Sequence, residues 1–256
     1  MKLRHFASIC ILASALIGIT QQASAATDTW YLGSGCSGRC SNDDNSYTSS
    51  NNGIEATVTA WGNSDTGNTY EQRSLYSYSG GLGSGEAEGE SAPQHAIDNN
   101  GVHEFILIQY DFTVALEELY LSYIYNDADI SVLAYNGTSF NVNNDLAGLT
   151  TSGVNSGDWT KVSNIDINST GTWTSINNNS NVSSQYWLVG AYSSVFSGAL
   201  SESGGLIGGN DYFKLKKVSG TKVYTPPGGS VPVPGTIALV GLGLLLVRAR
   251  RGATYI

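Results

Sequence analysis

The side chains able to do chemistry in this 256-residue chain are mostly hard oxygen donors. Asp98-Asn99-Asn100-Gly101 gathers them in a turn, and Asn210-Asp211 repeats the combination further on. Asp127 and Asp129 flank one residue, so on a strand both carboxylates face the same side. Calcium takes roughly six to eight oxygens from carboxylates, side-chain amides and backbone carbonyls. Asp98, Asn99 and Asp211 are therefore candidate ligands of a structural calcium that would pin the first and last strands together. The competing reading is that Asp and Asn simply fill turns here, as they do widely. The residues imply no other cofactor.

Catalytic machinery is hard to assemble from the rest. His95 and His103 are the histidines available as bases outside the first residues, and no serine sits in a nucleophile-elbow context. His95 follows Pro93-Gln94 in a turn and reads as a structural hydrogen-bonding residue. Paired carboxylates for glycoside hydrolysis need only be near in space, and among 21 acids some pair always fits, so that signal carries no weight. No catalytic residue is assigned, and the chain reads as a non-enzyme. Glu86, Glu88 and Glu90 alternate and read as a solvated loop, the other option being a weak cation-bridging patch. Among Trp30, Trp61, Trp159, Trp173 and Trp187, most belong in a core. Trp159 and Trp173 flank polar loops and are the candidate sugar-stacking pair.

Of three cysteines, Cys10 lies in the apolar leader, leaving Cys36 and Cys40. Ser37-Gly38-Arg39 between them is flexible enough for a small closed loop, and a disulfide suits an oxidising compartment. A zinc site lacks a second cysteine pair, and neither His95 nor His103 has ligand spacing.

The elements that must position these groups are strands. Ile54, Ala56, Val58 and Ala60 alternate against Glu55, Thr57 and Thr59, and Ile106, Ile108, Tyr110 and Phe112 share a face. A turn is expected near Glu117-Glu118, after which Leu119, Leu121, Tyr123 and Tyr125 alternate. Ile130, Val132 and Ala134 follow, ending at the tight-turn pair Asn136-Gly137. Later strands are expected at 160–167, 186–192, 211–218 and 222–224. Tyr78–Ser91 and Ser175–Ser184 read as long surface loops. The pattern predicts an all-β fold, a single antiparallel β-sandwich that is jelly-roll-like, with eight to ten strands and at most one short helix.

The two ends have their own logic. Lys2, Arg4 and His5, an apolar run from Phe6 to Ile19, and Ala23-Ser24-Ala25 make residues 1–25 a signal peptide cleaved between Ala25 and Ala26. The body spans 26–225. Residues 226–230 are a Pro-Gly linker. In 231–256, Val231-Pro232-Val233-Pro234-Gly235 precedes a short apolar helix (235–247) and a basic end (248–251) carrying Arg248, Arg250 and Arg251. The twelve residues from Thr236 to Val247 rise about 18 Å as a helix, short of a hydrocarbon core about 30 Å thick. That length suits a transient inner-membrane stop, its arginines cytoplasmic, better than a permanent span. Seven basic against 21 acidic residues give the body a net charge of −14, which excludes nucleic acid and anionic lipid as natural partners.

That tail resembles the PEP-CTERM sorting tail of Gram-negative bacteria, with Val233 where the usual motif has glutamate. The segments Gly81-Leu82-Gly83, Glu90 to Gly101 (ESAPQHAIDNNG), Asn126-Asp127-Ala128-Asp129-Ile130 and Asp211-Tyr212-Phe213-Lys214-Leu215 are similar to exosortase-dependent surface proteins. The resemblance implies cleavage of the tail by an exosortase and a secreted or cell-surface location in a biofilm or exopolysaccharide matrix. It implies no reaction. The alternative is a carbohydrate-binding module recognising exopolysaccharide.

Overall fold

A computed structural model describes residues 27–33, 38–39, 46–63, 68–85, 93, 95–177 and 182–224. The expected signal peptide, the expected disulfide pair Cys36 and Cys40, the Glu86–Glu90 run and the expected sorting tail lie outside the described residues. Strands hold 59% of the described residues and helices 8%, which makes the fold mostly β. No helix among the described residues is long and apolar enough to cross a membrane.

Fourteen strands occur in chain order among the described residues. They are β1 (Thr27–Tyr31), β2 (Gly38–Arg39), β3 (Ser46–Asn51), β4 (Ile54–Asn63), β5 (Tyr70–Tyr78), β6 (Gly81–Gly85) and β7 (Ile97–Asp98). Next come β8 (Glu104–Ile124) and β9 (Asp129–Tyr135), then the short helices α1 (Val142–Asp145) and α2 (Thr151–Ser156). The chain continues through β10 (Trp159–Asp166), β11 (Trp173–Ser175), β12 (Ser184–Ala191), β13 (Ser201–Glu202) and β14 (Tyr212–Lys222). The sheet runs β14-β6-β5-β4-β8 and returns to β14, closing a five-strand barrel. Strands β12, β9 and β10 extend the sheet beyond β8.

The sequence pattern led to two open sheets of a sandwich, and the strand lengths explain the difference. β8 is 21 residues long, with no turn at Glu117-Glu118. Its first half pairs with β4 and β12, and its second half with β14 and β11. One strand thus serves two sheet regions and lets the barrel close. The two glutamates stay in the strand because β14 hydroxyls satisfy them. Thr221 Oγ1 donates to Glu117 at 2.8 Å and Ser219 Oγ to Glu118 at 2.9 Å. β14 likewise runs unbroken to Lys222.

A register shift in the β8–β12 pairing accounts for another departure. Ile106, Ile108 and Tyr110 point into the barrel core, but Phe112 is exposed while Val114 and Leu116 turn inward. Phe112 falls in the stretch of β8 between Gln109 and Val114 that the shift leaves without partners on β12, and Val114 and Leu116 resume the inward face of Ile106, Ile108 and Tyr110. Segment 81–85 is a second correction, since it is a wholly buried barrel strand and not part of a surface loop. A Cβ on Gly83 would strike the His95 carbonyl, and one on Gly81 the Leu215 carbonyl, so only glycine lets these backbones approach.

The extended sheet is buried on both faces. Ile130, Val132, Trp187 and Val189 fill the barrel side, whereas Phe105, Leu133, Tyr135 and Leu188 pack beneath α1, α2 and Phe196. Helix α1 is capped by Asn141, whose side chain accepts from Asn143 N–H, and α2 by Thr150, which accepts from Gly153 N–H.

Candidate functional site

Three of the segments singled out in the sequence meet at one end of β14. The backbones of Ile97 and Asp98 pair with Phe213 and Tyr212, and Asp127 forms a parallel bridge with Asp211. Asn126 and Asn210, which precede those two aspartates, both adopt left-handed backbone, at φ 62° and 67°. Asparagine tolerates that region better than most residues, so each turn delivers its aspartate to the same place.

The expected ligands Asn99 and Asp211 do come together. Asn99 donates to Asp211 Oδ2 at 2.5 Å and accepts from Asp211 N–H at 2.9 Å. Asp211 Oδ1 accepts from Asp129 N–H at 2.9 Å. Both Asp211 oxygens are thus engaged by protein donors. Asp98 points elsewhere, accepting from Asn100 N–H at 2.9 Å across its own turn.

The oxygens that converge belong to Asp127, Asp129 and Asp166, one ligand atom of each lying within 4.8 Å of the others. Strand register creates this group. Asp129 opens β9, Asp166 closes β10, and the two are direct partners in the antiparallel ladder. Asp129 is fully buried and Asp127 half-buried. Asp129 Oδ2 accepts from Ile207 N–H at 2.6 Å, while its Oδ1 and the Oδ1 of Asp166 are buried with no partner. The glycine-rich segment 203–209 lies against the group. Ser203 Oγ accepts from Asp166 N–H at 2.7 Å, and a Cβ on Gly205 would come within 2.8 Å of Asp166 Oδ2.

Burial first, then the charges of Asp211, Asp127 and Asp166, pushes the Asp129 carboxyl up to about 6. Asp211 is pushed up to about 6, chiefly by burial, with Asp127 and Asp166 adding to it against the two hydrogen bonds it accepts. Every charge acting on this pair is another aspartate. Asp166 carried no separate signal in the sequence. Its place at the end of a strand matters only once β10 is known to lie against β9.

The sugar-stacking pair does not survive as a pair. Trp159 is buried, its Nε1–H donating to the Asp145 carbonyl at 2.8 Å, and its ring packs on Tyr135 and Phe140. It lies under the α1 cap, which the sequence reading did not foresee. Trp173 is 39% exposed and sits in a different group. Tyr31, Lys217, Tyr120 and Trp173 are successive partners across β1, β14, β8 and β11, forming one row over four strands. Lys217 Nζ stands 4.4 Å from the Tyr120 ring centroid, 5.0 Å from that of Tyr31 and 5.8 Å from that of Trp173.

His103 is buried against Tyr70, Phe105 and Phe196. The Ala191 carbonyl can only accept, so Nε2 carries the proton toward it at 2.7 Å and Nδ1 accepts from Tyr70 O–H at 2.7 Å. Both ring nitrogens are therefore committed to the fold. His95 packs edge-on against Tyr78, with centroids 4.5 Å apart.

Comparison of the chain with family models, with curated proteins and with solved structures finds no match in any of the three, so the site is read from its own geometry.

Proposed function

We propose that this chain is an exported surface or extracellular-matrix protein of a Gram-negative bacterium, with a structural or interaction role and no catalytic activity. Signal peptidase removes residues 1–25, the tail inserts transiently in the inner membrane, and an exosortase removes it. The observation that carries the reading is the order of parts in the sequence: leader, acidic body, Val-Pro-Val-Pro-Gly motif, short apolar stretch, arginine cluster. The strand pairing supports it. Thr27, two residues past Ala25, lies opposite Thr221, five residues before the Pro226 linker. Both membrane-directed ends thus leave the body at one point, so a single patch of the domain faces the bilayer during export.

Mass spectrometry of the mature protein tests this reading. The expected product begins at Ala26 and lacks the arginine cluster. A mature chain still ending at Ile256 overturns the exosortase step.

A second reading, binding to the producer's exopolysaccharide, is favoured by the row Tyr31–Lys217–Tyr120–Trp173. Aromatic rings in file on a sheet surface offer flat apolar faces to sugar rings. Trp173→Ala and Tyr31→Ala should each weaken pull-down by the isolated polysaccharide. Undiminished pull-down by the double variant removes this reading.

A further inference from the structure

The geometry points to a calcium ion held by Asp127, Asp129 and Asp166, with Asp211 and Asn99 positioning the ligands from behind. This inference stands apart from the export reading, because it uses only residues of the folded body.

Aspartates directly opposite one another on neighbouring strands repel. Here Asp129 faces Asp166, and Asp127 stands beside both. Packing alone gives no reason to bury such a group. A buried polar atom without a partner costs roughly what a lost hydrogen bond is worth, and a charged one costs more. Asp129 is fully buried, yet its Oδ1 has no donor, and its carboxylate is one of the three that converge. Asp166 Oδ1 is in the same condition. A hard cation among the three carboxylates supplies a partner for the orphaned oxygens and offsets the repulsion among the carboxylates.

The spacing fits one ion. Calcium binds oxygen at roughly 2.3–2.6 Å, so two ligands on opposite sides stand at most about 5 Å apart, and the three carboxylates fall within 4.8 Å. All three converging side chains are carboxylates, hard oxygen donors, which suits a hard divalent cation over a soft metal. Water fills the remaining positions through the half-exposed side of Asp127. Asp211 holds the frame, fixing Asp129 through its backbone N–H and being fixed in turn by Asn99.

The ion would join β9, β10, the β8–β9 turn and, through Asp211, the start of β14. It lies at the opposite end of β14 from Thr221, roughly 30 Å away at about 3.3 Å per residue. Affinity should match extracellular calcium modules, near 10⁻⁴–10⁻³ M on the order-of-magnitude scale.

The test uses the full chain, stripped of metal and then titrated with calcium chloride or with magnesium chloride. Equilibrium dialysis should find one calcium per chain, and about 10 mM calcium should raise Tm by about 3 °C or more, beyond any rise given by magnesium. Asp129→Asn and Asp166→Asn should weaken calcium binding at least tenfold, as should the milder Asp127→Asn at its half-exposed position. In metal-free buffer, Asp129→Asn should melt at or above the parent chain, because it removes repulsion. A purely structural aspartate would give the opposite sign. No calcium-dependent shift in the parent chain, an equal shift with magnesium, or Asn variants that retain the shift would each overturn the assignment.

Discussion

Asp129 and Asp166 face each other directly across the β9–β10 ladder, and each keeps one buried carboxylate oxygen without a hydrogen-bond donor. Asp129 gives the domain a pH response with a definite sign. Asp129 and its neighbour Asp211 are both raised to about 6 in the folded chain, mainly by burial, with Asp127 and Asp166 adding charge. Tyr192, also near Asp129, stays neutral in this range because its own phenol is raised. An ordinary aspartate in the unfolded chain titrates near 3.9. Raised folded values mean that the native state binds these protons more tightly. Their contribution is fully present below about pH 4 and is lost as pH rises through about 6. In metal-free buffer, the parent chain should therefore gain stability relative to Asp129→Asn as pH falls from 7 to 5. Parallel Tm curves for the two proteins over that interval would contradict this. Protons and a bound cation compete for the same oxygens, so calcium affinity should fall over the same range.

His103 responds in the other direction. Burial holds its imidazole down to about 4, only partly offset by the Ala191 carbonyl. A depressed folded value means that its contribution is present above about pH 6.5 and is lost as pH falls toward 4. NMR titration of the His103 ring should show the neutral form down to about pH 5. A midpoint near 6.5 would mean that the ring is hydrated and free of the Tyr70 and Ala191 bonds.

Gly190 on β12 should not accept a side chain. It lies opposite Phe105, whose ring occupies the space of a Cβ, and the Glu104 carbonyl closes the other side. Gly190→Ala should destabilise by about 1–3 kcal/mol through overpacking. Urea unfolding with an unchanged midpoint would show that the β8–β12 contact is looser than described.

Trp159 and Trp173 should separate cleanly in unfolding experiments. Trp159→Ala removes a buried ring and its hydrogen bond to Asp145, and should cost about 3–5 kcal/mol. Trp173→Ala removes a half-exposed ring from an edge strand and should cost about 1 kcal/mol or less. Equal losses would mean that the exposed row is part of a core.

The sequence by itself determined the β character and most strand positions. Alternation such as Ile54-Ala56-Val58-Ala60 reports a side chain's face through the period-two geometry of a strand, whatever the strand pairs with. It also marked Asp98, Asn99 and Asp211 as oxygen donors in turns, and Asp127 and Asp129 as carboxylates on one strand face. Only the tertiary structure decided which of them meet. Periodicity says which way a residue points, but register says what stands opposite, and Asp166 reaches Asp129 through a pairing whose strands are separated by two helices. The same limit hid the single long β8, since Glu117-Glu118 resembles a turn until β14 supplies Ser219 and Thr221. It also hid the burial of Trp159, whose cover comes from α1 and Phe140, elements with no apolar periodicity of their own. Alternation is encoded locally along one strand, whereas barrel closure and carboxylate convergence are properties of pairs of strands far apart in the chain.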